Sequence, residues 1–179
     1  MKENVGKTRR AVWWTAFGFL AAALMGFGRV AVPALYYSST RLSLSDEGVT
    51  LIGAPDLFFA DGIRILFPLV FLAAGVVFCG IAAARGSRRW GIPALVLCLG
   101  AGIGYYLLPS SARTVAVYTG YRFFFGMNGI PLAERVPWLF PLYRGTFLLG
   151  AALLLAAVCL AGRRRTGKAG KGAREADHP

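Results

Sequence analysis

The stretch PLYRGTFLLGAALLLAAVCLAGRRR, residues 141–165, holds eighteen consecutive uncharged residues from Gly145 to Gly162, with Arg144 at its head and Arg163, Arg164 and Arg165 at its foot. A helix rises about 1.5 Å per residue, and the hydrocarbon layer of a bilayer is about 30 Å thick. The run therefore has the length of one membrane crossing, and its charges fall where the crossing ends. Three other runs are built alike: Ala11 to Gly28 closed by Arg29, Ile65 to Ala84 between Arg64 and Arg85, and Trp90 to Leu108 behind Arg88 and Arg89. Each is 18 to 20 residues long. The expected fold is an all-α integral membrane protein, a bundle of four transmembrane helices.

Composition agrees. With 56% hydrophobic and only 16% charged residues among 179, and a mean hydropathy of +0.57, the chain is too apolar for an ordinary soluble domain. Its net charge of +12 would suggest nucleic acid in a soluble protein, but the basic residues punctuate apolar runs rather than forming one patch. Topology accounts for them, and no nucleic-acid partner is expected.

The charges also orient the chain. Thirteen Lys and Arg fall on one side: Lys2, Lys7, Arg9 and Arg10 at the start, Arg85, Arg88 and Arg89 in the middle, and six from Arg163 to Arg174 at the end. The other side carries seven, Arg29, Arg41, Arg64, Arg113, Arg122, Arg135 and Arg144, spread over longer loops. Positive residues mark the cytoplasmic face, so both termini are expected there, in a multi-pass protein of the cell (inner) membrane. Trp13, Trp14 and Trp90 then mark the inner interface, and Tyr36, Tyr37, Tyr105, Tyr106, Trp138 and Tyr143 the outer one. The expected organisation is a basic N-terminus 1–10, spans at 11–35, 63–84, 90–108 and 138–162, outer loops 36–62 and 109–137, a basic inner loop 85–89, and a disordered basic tail 163–179. The first apolar run exceeds the usual length of a signal-peptide core, so it is read as an uncleaved first span.

In the first outer loop, Leu42 and Leu44 alternate with Ser43 and Ser45, and Val49, Thr50 and Leu51 follow Asp46, Glu47 and Gly48. This pattern predicts a β-hairpin. Val115 and Val117 in the second loop suggest a third strand, so the two loops are expected to form a small extracytoplasmic sheet on the helix ends. The cluster Phe123, Phe124, Phe125 and Met127 is too apolar to face water, and is expected either to be buried beneath the hairpin or at the lipid interface, or to dock a protein partner in the membrane.

Helices associate in lipid through close backbone approach at small residues. Gly18, Ala22 and Gly26 recur every four residues on the first span, and Gly100 and Gly104 form a G-x-x-x-G pair on the third. Gly75 with Cys79 and Thr146 with Gly150 offer the same on the second and fourth. Such residues are expected to line intramolecular seams, although an oligomer interface would use the same ones, so the oligomeric state stays open.

Arg29, Arg64 and Arg144 each fall at the outer edge of a span. An arginine there either extends its guanidinium to the headgroups or joins the others in a cationic ring that holds an anionic headgroup or an acidic partner, near Asp56, Asp61 and Glu134. The four apolar runs contain no Asp, Glu, His or Lys, which disfavours proton relays and ion-coupled carriers. Cys79, Cys98 and Cys159 are far apart in sequence and His178 is the one histidine, so no metal, haem or other cofactor is expected. No nucleophile with a base stands in the outer loops, and a catalytic role is disfavoured. Two functions lead, with a membrane enzyme built around Asp56, Asp61, Glu134 and the arginines third: an accessory or assembly subunit of a larger membrane complex acting through interaction, or a passive transport or lipid-handling protein that uses the outer arginines. Membrane lipids are partners in either case.

Overall fold

The computed structural model describes residues 2–45, 48–53, 55–104 and 139–175. Helix α1 runs from Lys2 to Ser38. Strands β1 (Thr40–Ser45) and β2 (Gly48–Gly53) follow. A short helical turn α2 (Pro55–Leu57) and a π-turn (Phe58–Gly62) lead into α3 (Ile63–Arg85). Then come α4 (Arg88–Gly102) and α5 (Leu139–Glu175). The architecture is nearly all helical.

Among the described residues, three helical stretches are long and apolar enough to cross a membrane: Arg10–Tyr36, Ile63–Arg85 and Leu142–Gly162. Helix α4 is described over 15 residues, about 22 Å at 1.5 Å per residue, and residues 105–108 of that apolar run lie outside the described residues.

The long helices form a ring in chain order. Helix α1 packs on α3 and α5, and α4 packs on α3 and α5. Close approaches set their directions. Gly26 faces the Tyr143 ring and Gly150 faces Leu20, so residue numbers rise along α1 as they fall along α5. Gly75 meets Cys98 and Gly100 meets Phe71, which makes α3 and α4 antiparallel, and Gly102 on Phe147 with Gly162 on Arg88 does the same for α4 and α5. Neighbouring helices therefore run antiparallel around the ring.

Helix α1 buries Trp13, Ala16, Leu20, Ala23, Phe27, Val30 and Ala34. That spacing of three and four residues puts all seven on one face. The core is completed by Ile65, Leu72, Cys79 and Ala82 from α3, Ala94 and Cys98 from α4, and Phe147, Leu154 and Ala157 from α5. The outside is as apolar as the inside: Met25, Val70, Val77, Val96, Leu148 and Leu155 are all exposed. Water would tolerate such a surface poorly, whereas lipid does not penalise it.

Strands β1 and β2 pair antiparallel, with Leu42 opposite Leu51 and Leu44 opposite Val49. The expected third strand near Val115, and the cluster Phe123, Phe124, Phe125 and Met127, lie outside the described residues.

One helix end differs from the sequence reading. Helix α5 continues to Glu175 where a disordered tail was expected from residue 163, and α1 begins at Lys2, ahead of its apolar run. Arg, Lys and Ala are good helix formers, and extending an existing helix needs no new nucleus, so both ends run past the apolar core.

Between α3 and α4 the chain reverses at Gly86, whose φ of 60° lies in the left-handed region. The Gly86 and Ser87 N–H groups both donate to the Ala82 carbonyl, closing the end of α3. Gly86→Ala is expected to cost about 1 kcal/mol, because a Cβ is disfavoured at this φ. The midpoint of unfolding in SDS-containing mixed micelles measures it.

Candidate functional site

The antiparallel ring gives the bundle two ends, each with its own arginines. At the first, Arg144 is next in sequence to Tyr143, which lies against Gly26, and Arg29 is one turn beyond Gly26 on the adjacent helix. Arg64 sits in the first turn of α3, at the same end. The fold thus brings Arg29, Arg64 and Arg144 to one end of the ring, but all three are exposed. Arg64 Nη1 donates to Asp61 Oδ1 at 3.4 Å, on a pair that is 53% and 30% exposed. Such an exposed i,i+3 pair contributes little, and Asp61→Asn is expected to shift stability by less than about 1 kcal/mol. Thermal melts in detergent would measure the change.

Among the described residues, Val30, Ala31, Ala34, Ile65 and Phe147 are buried toward this end. Ser38 is the buried polar residue among those described, and its hydroxyl donates to the Leu35 carbonyl at 2.7 Å. Glu134, the third carboxylate proposed for this end, lies outside the described residues.

The opposite end is built around the α3–α4 turn. Arg85, Arg88 and Arg89 are exposed and surround Ser87. The Arg85 guanidinium carbon lies 5.5 Å from the centre of the Trp90 ring, and that ring stacks on Phe78 with centroids 5.8 Å apart. Arg88 reaches across to α5, where a Cβ on Gly162 would stand 2.8 Å from its Nη1. Phe17 lies against Gly80, so the antiparallel run of α1 brings exposed Arg10 to the level of Ser87. Trp13 is fully buried one turn further in, its ring against Gly91, and its Nε1 has no hydrogen-bond partner among the described residues.

The small residues divide. Gly26 is buried against Tyr143, Gly100 lies against Phe71, and Gly104 against Phe67 and Pro68. Ala22 is half-buried, and Gly18 points into open space with no atom within 4 Å of an added Cβ. Gly91 and Gly162 escaped the sequence reading although both sit in tight contacts. Gly91 is followed four residues on by Leu95 and Gly162 is preceded four residues back by Val158, so neither shows small-x-x-x-small spacing inside its run. Cys79 and Cys98 are buried on facing helices, and no third metal donor stands with them among the described residues.

Comparison of the chain with known protein families, with curated proteins and with solved structures finds no match.

Proposed function

We propose that this chain is a four-span membrane protein, with both termini cytoplasmic in the cell membrane, that acts through interaction as an accessory or assembly subunit of a larger membrane complex. The observation that carries this proposal is the contrast between surface and interior. Large apolar side chains cover the outside, while the described interior holds Ser38 as its buried polar residue and no buried Asp, Glu, His, Lys or Arg. Such an interior has nothing with which to relay a proton or activate a nucleophile. What remains for function is surface.

Helix α4 supports the fourth span. It runs beside α5 from Phe147 to Gly162, most of the Leu142–Gly162 stretch, and beside α3 as well. A helix packed along two apolar neighbours shares their layer. Orientation rests on the thirteen-to-seven division of Lys and Arg. The lipid-handling alternative has less support, because it needs Arg29, Arg64 and Arg144 directed into a groove and all three are exposed.

Purification from the native membrane in mild detergent, with mass spectrometry of co-purifying proteins, tests the subunit role. A stoichiometric protein partner is the expected result. A chain that purifies alone and monodisperse would remove the basis for that role.

A further inference from the structure

The geometry points to the α3–α4 turn as a binding site for the phosphate of an anionic phospholipid. The site lies at the end of the bundle opposite Arg29, Arg64 and Arg144. It shares with the proposed function only the membrane-spanning placement, and the subunit role can fail without affecting it.

Three exposed arginines, Arg85, Arg88 and Arg89, occupy five residues, and Arg10 joins them from α1. The whole stretch between Asp61 and Glu134 contains no acidic residue, and neither does α5 before Glu175. Among the described residues no carboxylate pairs with any of the four. Crowded like charges need a counter-charge, and arginine's planar fork matches a phosphate with two parallel hydrogen bonds. Ordinary topological arginines need no fixed geometry, whereas Arg85 and Arg88 are held. Gly86 sets the reversal, Trp90 holds Arg85, and the missing side chain at Gly162 admits Arg88. The first N–H groups of α4 add partial positive charge at the same place.

A lipid is favoured over a free anion by what lies below the arginines. Ile92, Val96 and Leu99 are exposed on α4 at spacings of four and three residues, a continuous apolar track for an acyl chain starting one turn from Arg88. Inorganic phosphate has no use for such a track.

The full chain in phosphatidylcholine bicelles, titrated with brominated phosphatidylglycerol, reads the preference through tryptophan quenching. Arg88→Gln with Arg89→Gln is expected to reduce it about fivefold per charge removed. Gly162→Leu, which displaces Arg88 without changing charge, is expected to reduce it too. The lysine pair, Arg88→Lys with Arg89→Lys, keeps the charge but loses the fork, and is expected to show a preference weaker than the native chain and stronger than the glutamine pair. Arg29→Gln with Arg144→Gln is expected to reduce it less than the Arg88 and Arg89 glutamine pair does. An unaltered preference in the glutamine pair overturns the site. So does an equal loss on removing Arg29 and Arg144, which would mean bulk surface charge, or equal competition by inorganic phosphate, which would mean an anion site without lipid.

Discussion

Trp13→Ala is expected to lower the stability of the bundle by about 3 kcal/mol, the low end of the range for a buried tryptophan. Trp13 is fully buried, and its ring fits where Gly91 on α4 and Val158 on α5 leave room. Removing it opens a cavity where three helices meet around a single side chain. The value sits low in the range because lipid, unlike water, solvates released apolar surface readily, so the lost packing contacts and the cavity dominate. Trp13→Phe separates the ring from its N–H. Because Nε1 has no partner among the described residues, phenylalanine removes an unsatisfied donor while keeping most of the ring. It is expected to stay within about 1.5 kcal/mol of the native chain. Helicity followed through an SDS titration in mixed micelles distinguishes the two. If phenylalanine proves as damaging as alanine, the indole N–H has an acceptor and the three-helix junction is polar.

Gly150→Leu is expected to separate α1 from α5, while Gly18→Leu leaves the bundle intact. A Cβ on Gly150 would stand 2.9 Å from Leu20 Cγ and 3.1 Å from the Leu20 backbone nitrogen. A side-chain tip can move aside, whereas the backbone of a neighbouring helix moves only with the whole helix. Even Gly150→Ala is expected to cost about 1–3 kcal/mol by overpacking, and leucine more. Gly18 faces open space, and leucine there is expected to change stability by no more than about 0.5 kcal/mol. The SDS midpoints of the three variants test the contrast. A Gly18→Leu as damaging as Gly150→Leu would mean that the outer face of α1 is itself covered, most simply by a second copy of the chain.

These two glycines show where the sequence was legible. Both belong to small-residue patterns, Gly18 with Ala22 and Gly26, Gly150 with Thr146, and only packing tells them apart. In lipid the outside of a helix is as apolar as its inside, so hydropathy has no moment with which to mark the buried face. The arginines behave in the same way. Their positions at the ends of apolar runs were visible, but whether they face inward was not. The structure leaves Arg29, Arg64 and Arg144 exposed and holds Arg85 and Arg88 in place. The turn at 85–89 was read only for its charge, since nothing in R-G-S-R-R announces that Gly162, 73 residues past Arg89, admits one of its side chains.

The sequence by itself determined that the chain is helical, apolar and built for a membrane, because bilayer thickness and the cost of burying charge act on runs of residues irrespective of their neighbours. Tertiary structure alone decided the order of helices around the ring, the face each presents, the meeting of Trp13 with Gly91 and Val158, and the convergence of arginines at the α3–α4 turn. Those outcomes depend on van der Waals fit between residues distant in sequence, and no local pattern encodes it.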